Sequence, residues 1–199
     1  MRKGRSFAME NRERIMQCAE ELFYSKGYDA AGVQEIVERA GITKPTLYYY
    51  FGSKLGLLQA ILDTKFDKLR PGLTKAVARD EDIRAKLYAL AEVYYQFFQE
   101  EHKFYMLLMA LFYSARENEA YQAAKPYYQE IYQAFVSAFE GCAEELGNMH
   151  GRQQQFAISF IGVMNQYLTV LYDEQEGEQK IGEEQLFALV NQFMHGIFS

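Results

Sequence analysis
The sequence predicts an all-α fold of about nine helices. Apolar residues recur at helical spacing along almost the whole chain, only 3 of the 199 residues are proline, and glycines punctuate the ends of the periodic segments. A hydrophobic content of 49% and a mean hydropathy of −0.30 suit a soluble, globular chain long enough to bury a core without staples.

Residues 1–8 read as a flexible basic arm carrying Arg2, Lys3 and Arg5. A first helix over 10–26 follows, with Ile15, Ala19, Leu22 and Phe23 in one apolar stripe. Gly27 ends it as a left-handed cap. A second, short helix over 33–40 repeats Val33, Ile36, Val37 and Ala40 at i, i+3, i+4 and i+7. Gly41 then turns the chain and Ile42 plugs the turn. Thr43 is placed to cap a third helix over 44–50, with Pro45 in the first turn, where a missing N–H is harmless. Helix, glycine turn and capped helix at this spacing form the helix-turn-helix pattern.

Ser53 caps a fourth helix bearing Leu57, Leu58, Ile61 and Leu62. It is expected to fade at Arg70-Pro71-Gly72, the clearest breaker and a candidate boundary. Further helices are expected over 81–101, 103–117, 119–146, 152–174 and 183–198, with Pro126 starting or kinking its own.

Net charge is −6, but unevenly spread: residues 1–70 hold 12 Lys and Arg against 9 Asp and Glu, and the remainder 9 against 18. A mildly basic head on an acidic body suits a head that meets phosphates. Cys18 and Cys142 lie far apart, outside any CxxC pair, so neither a disulfide framework nor a zinc site is expected, and a reducing cytoplasm fits. No apolar segment follows the basic start as in a signal peptide. The most apolar stretch, 156–172, is interrupted by polar residues and short of the roughly 20 apolar residues a membrane span needs. HExxH, GxSxG, P-loop and paired-glycine fingerprints are missing, and His102, His150 and His195 are scattered, so neither an enzyme nor a cofactor is expected.

The residues from Arg14 to Ile61 act together. Ile15, Ala19, Leu22-Phe23, Gly27-Tyr28, Val33, Ile36 and the run Ala40 to Phe51 are followed by Ser53-Lys54, Leu58 and Ala60-Ile61. This composite closely resembles the DNA-binding segment of the TetR family of bacterial regulators, over about the first third of the chain. Two positions depart: Gly32 stands where a Thr or Ser cap is usual, and Val37 where Ala is common. The resemblance implies a palindromic DNA partner, read by Gln34 on the second helix, by Thr43, Lys44, Pro45, Thr46, Tyr48, Tyr49 and Tyr50 on the third, and by Lys54 as a phosphate clamp. The chemistry agrees: small and polar side chains belong at the N-terminal end of a recognition helix, and phenol hydroxyls suit phosphates. A buried-core explanation cannot hold all three consecutive tyrosines, because successive helix positions point in different directions. The basic arm is a candidate for an adjacent minor groove.

By role, residues 1–53 form the DNA-binding domain and 54–199 a ligand-binding and dimerisation domain. Of the 16 tyrosines and 15 phenylalanines, many crowd three middle helices. Tyr94, Tyr95, Phe98, Phe104, Met109, Phe112, Tyr113, Tyr128 and Tyr132 are candidates to line a chamber for a small hydrophobic or aromatic ligand. Plain core packing is the competing explanation. The last two helices are apolar on more than one face and are expected to pair with a second copy. Phe156, Phe160, Met164, Tyr167, Leu171, Leu186, Val190, Phe193, Met194 and Ile197 are the interface candidates. A homodimer presents two heads to half-sites about 34–36 Å apart, or a multiple of that. The resemblance implies a repressor released by its ligand. The alternative is a DNA-binding protein of the same fold that acts through a protein partner.

Overall fold
A computed structural model describes residues 2–144, 146, 151–174 and 182–196, with side-chain environments for 9–144, 146, 151–170 and 182–196. Among the described residues there are nine α-helices: α1 (Arg2–Lys26), α2 (Val33–Arg39), α3 (Lys44–Phe51), α4 (Lys54–Val77), α5 (Ile83–Glu100), α6 (His102–Phe112), α7 (Glu119–Gly141), α8 (Gln153–Glu174) and α9 (Glu183–His195). The expected all-α class holds. The chain forms two compact units, one of Met1–Asp67 with Glu101–Tyr128, the other of Lys68–Glu100 with Gln129–Ser199.

In the first unit Ile15, Ala19, Leu22 and Phe23 of α1 are buried, as are Ile36 and Val37 of α2, Leu47 of α3 and Leu57, Leu58, Ile61 and Leu62 of α4. The turns are set by backbone chemistry. Gly27 and Gly41 have φ of 84° and 62°, open to glycine without a Cβ clash. After α2, Ile42 N–H donates to the Val37 carbonyl at 2.9 Å and Gly41 N–H to Glu38 at 3.2 Å. These paired bonds close the helix as a Schellman cap and deliver the chain into α3.

Four expectations about helix bounds are corrected here. The arm is helical from Arg2; the side chains of Arg2, Lys3 and Arg5 lie outside the described residues. The fourth helix does not fade at Arg70-Pro71-Gly72 but runs on to Val77 with Pro71 inside it. Leu69, Leu73 and Ala76 keep the buried stripe going past the breaker. Burying the two leucines is worth about 1.5–3 kcal/mol each, against a combined Pro and Gly penalty of about 4 kcal/mol. Gly72 has a further role: a Cβ there would lie 2.7 Å from Val93 Cγ1, so the glycine lets α4 and α5 close up. The sixth helix also stops early, at Phe112, and the seventh at Gly141.

In the second unit α5 packs on α9 and α8. Phe193 of α9 stands 4.8 Å from the Phe160 ring and 6.4 Å from those of Phe139 and Phe156. The two thiols are free, Cys18 half-buried and Cys142 buried.

Candidate nucleic-acid interface
Helix α3 is short and its faces are sharply divided. Leu47 is 0% exposed and anchors the helix to the core, while Tyr48 is 45% and Tyr49 84% exposed. Tyr50 is half-buried, edge-on to Tyr49 at 5.3 Å and tilted to Phe51 at 6.1 Å. Thr43, Lys44 and Pro45 are exposed at its N-terminal end, with Thr46 half-buried beside them. The expected threonine cap is not made. Thr43 is extended and precedes the helix, but its hydroxyl pairs with that of Thr46 at 2.9 Å instead of a backbone N–H. The two hydroxyls are thus held together at the N-terminal end of the helix.

Gly52, with φ 73°, turns the chain out of α3. Ser53 then caps α4, its Oγ accepting from Gly56 N–H at 2.9 Å. Gly56 cannot carry a side chain: a Cβ would sit 2.0 Å from the Phe51 carbonyl oxygen. This close approach fixes Lys54 relative to α3. The Lys54 ammonium lies 4.2 Å from the Tyr28 ring centroid and donates to the Asp29 carbonyl at 3.4 Å. Burial pulls it below the ordinary lysine value, with Asp29 and Glu119 opposing.

Gln34 is exposed on α2 and donates to Glu38 at 2.6 Å. Lys26 and Arg39 are engaged by Glu35 and Glu21, whereas Lys44 has no ion pair among the described residues. Two participants escaped sequence reasoning. Arg12 stacks over Phe51, its guanidinium carbon 5.5 Å from the centroid, and Tyr28 forms the platform under Lys54. The Gly27-Tyr28 pair was visible as part of the motif, but nothing in it gave the ring a partner.

The body residues separate. Tyr94, Tyr95, Phe98 and Tyr132 belong to the second unit; Phe104, Met109, Phe112, Tyr113 and Tyr128 belong to the first. Phe104 is 0% exposed on the buried face of α6. Phe112 and Tyr113 lie at the opposite edge, 44% and 77% exposed. Phe112 meets Tyr128 at 4.7 Å, and the Tyr128 hydroxyl donates to the Leu108 carbonyl. Tyr94 is buried and donates to Asn165 at 3.0 Å. Tyr95, Phe98, Met109 and Tyr132 are buried or half-buried.

On α8 and α9 the interface candidates also divide. Phe160, Met164, Leu186 and Val190 are 0–3% exposed and fill the protomer's own core, which removes them from the surface. Phe156, Tyr167, Phe193 and Met194 are half-buried, and the side chains of Leu171 and Ile197 lie outside the described residues. The outward apolar positions are instead Ile158, Val163, Val170 and Phe187. Among the described residues no three His, Cys, Asp or Glu side chains cluster as metal ligands, and no helix is long and apolar enough to cross a membrane.

Residues 15–61 match the family described as bacterial regulatory proteins, tetR family. The chain is 38% identical over 99 residues to FasR of Mycolicibacterium smegmatis, an HTH-type transcriptional activator, a match covering 50% of this chain and 45% of FasR. It thus spans about half the length of that relative. With TtgW of Pseudomonas putida, an uncharacterized HTH-type transcriptional regulator, it shares 31% identity over 91 residues, 46% of this chain and 68% of TtgW. FadR of Bacillus subtilis, a transcriptional regulator solved in complex with stearoyl-CoA, superposes with a TM-score of 0.76 at 15% identity, covering 93% of this chain and 98% of FadR. That likeness is one of fold. The motif on its turn and helices, the shared fold and the identity across two thirds of TtgW agree: the chain belongs to the TetR family of bacterial transcription regulators.

Proposed function
We propose that the chain is a homodimeric repressor that lays α3 in the major groove of a palindromic operator and leaves it when a small apolar ligand binds. The division of α3 carries the reading: Leu47 is wholly buried, and the next two residues stand out from the surface. Thr43, Lys44, Pro45 and Thr46 meet base edges; Tyr48, Tyr49 and Tyr50 meet phosphate, sugar and thymine methyls. Gln34 and Lys54 grip the flanking backbone. Dimerisation uses the outward faces of α8 and α9.

For the ligand we infer a molecule with a long apolar chain, accommodated by aromatic side chains of the second unit, Tyr94, Tyr95, Phe98 and Tyr132 among them. The stearoyl-CoA bound to Bacillus subtilis FadR supports that class. A ligand releases DNA only through its differential affinity for the free and bound states. The similarity to FasR, an activator, favours a second reading in which the bound dimer promotes transcription.

Selection of bound duplexes from a random library by the full-length chain tests the reading. An enriched palindrome is expected, with affinity lost in Thr46→Ala and Tyr49→Ala and lowered by a long-chain acyl-CoA. No enrichment overturns DNA recognition, and an acyl-CoA series without effect overturns the ligand class. In vitro transcription from the selected site separates repression from activation.

A further inference from the structure
The start of α7 reaches into the DNA-binding motif of the same unit. Asn118 caps α7, its Oδ1 accepting from Ala120 N–H at 2.8 Å, while its amide donates to the Asp29 carboxylate at 2.7 Å. The next residue, Glu119, accepts from the Tyr28 hydroxyl at 2.6 Å. Tyr28 is 4% exposed and its ring leans on Phe23 at 5.2 Å. The Lys54 ammonium rests on that ring, and its one hydrogen-bond acceptor among the described residues is the Asp29 carbonyl. Two of the groups that hold Lys54 are therefore tied to the start of α7, by Asn118 before its first residue and by Glu119 at it; the third, the Phe23 ring at 6.0 Å, leans on Tyr28.

An ammonium over a phenol ring at a partly exposed site is held only modestly, and a hydrogen bond of 3.4 Å is weak. No ion pair holds Lys54 among the described residues, so these contacts set where its ammonium rests. We propose that Asn118 and Glu119 are positioning residues for DNA binding, which set Lys54 toward the phosphate backbone through Tyr28 and Asp29. The proposal rests on the reading of Lys54 as a phosphate contact. The Glu119 carboxylate also favours the charged form of Lys54 against its burial. Displacement of the α6–α7 junction is thereby transmitted to a phosphate grip.

The test is the salt dependence of binding, measured by fluorescence anisotropy of the full-length chain on a duplex from the selection. Each phosphate contact contributes a slope of about −0.9 in log Kobs against log[salt]. Lys54→Ala is expected to make the slope shallower by about one unit. Glu119→Ala should do the same, although α7 touches no phosphate in this reading, and the double variant should be no shallower than Lys54→Ala alone. Glu119→Gln keeps an acceptor for Tyr28 and should restore the slope. Tyr28→Phe, which keeps the ring and removes the hydroxyl, is the second probe and should match Glu119→Ala. A lower melting temperature with the parental slope in both Glu119→Ala and Tyr28→Phe means a merely structural tie and overturns the proposal, while the Lys54 reading stands. An unchanged slope in Lys54→Ala overturns the Lys54 reading and the proposal together.

Discussion
Leu47 and Tyr49 are two residues apart on one helix and make opposite demands. Leu47 is fully buried, so Leu47→Ala is expected to cost about 2–5 kcal/mol of stability, seen as a large drop in denaturation midpoint. Tyr49 is 84% exposed, so Tyr49→Ala should change stability by no more than about 0.5 kcal/mol. DNA affinity should nevertheless fall by about tenfold, the scale of losing one good contact. A melting curve and a binding titration on the two proteins check both, and a Tyr49→Ala protein that binds like the parent removes the ring from recognition. Residue types in the motif announced which side chains face out, because glycine turn, leucine anchor and tyrosine run have fixed helical phases. Their hydrogen bonds were not legible. The Thr43 hydroxyl has two acceptable partners, a backbone N–H or Thr46, and local sequence does not choose between them.

At the scale of elements, α1, α4 and the start of α6 are joined by a largely buried ion cluster. Lys65 of α4 lies 3.0 Å from Glu20 of α1 and also contacts Glu101, with side chains 20%, 9% and 10% exposed. Burial pulls the lysine down, but hydrogen bonds with Glu101 and Glu20 outweigh it and hold the ammonium above its ordinary value. A base held charged in the fold stabilises below its unfolded pKa and loses that contribution as pH rises through the folded one. Stability should therefore decline above about pH 10.5 in the native chain, and the part of that decline due to Lys65 should vanish in Lys65→Met. At pH 7 the same substitution should cost about 3 kcal/mol, because it strands buried carboxylates. Urea denaturation across pH reads both, and an alkaline limb identical in the two proteins would remove Lys65 from the account. Gly72 gives a second check. Gly72→Ala places a methyl 2.7 Å from Val93 and should cost about 1–3 kcal/mol, relieved by adding Val93→Ala. Helix number and order were readable from periodicity; passage through Pro71 was not, since burial of Leu69, Leu73 and Ala76 is a tertiary fact. Lys54's supports were hidden for the same reason: Tyr28 is in the motif, Glu119 far outside it.

At the scale of the whole molecule, α8 raises the question of what covers it. No charged residue occurs from Gln153 to Tyr172, although much of that helix faces outward. Its outward arc carries Ile158, Gly162, Val163 and Val170 among Gln155, Ser159 and Gln166. Apolar content had marked the helix for assembly. It could not tell the stripe that fills the protomer from the one left over, because both are apolar, and only the fold assigns Phe160 and Met164 inward. Surface helices ordinarily carry charges opposite their core stripe, so an uncharged, partly apolar arc beside a small glycine suits close packing against another helix. If that helix belongs to a second copy, Ile158→Glu with Val163→Glu places four like charges in one symmetric seam, since a twofold interface repeats every substitution. Light scattering should then give the monomer mass of 23.2 kDa where the parent gives twice that. The folded monomer should retain its helical circular dichroism and bind a single half-site, but its affinity for the full palindrome should drop by about 100-fold or more, the scale of lost bivalency. An unchanged mass would place the partner surface elsewhere. A monomeric mass with undiminished palindrome affinity would instead separate DNA binding from dimerisation, and with it end the release mechanism that depends on the spacing of two heads.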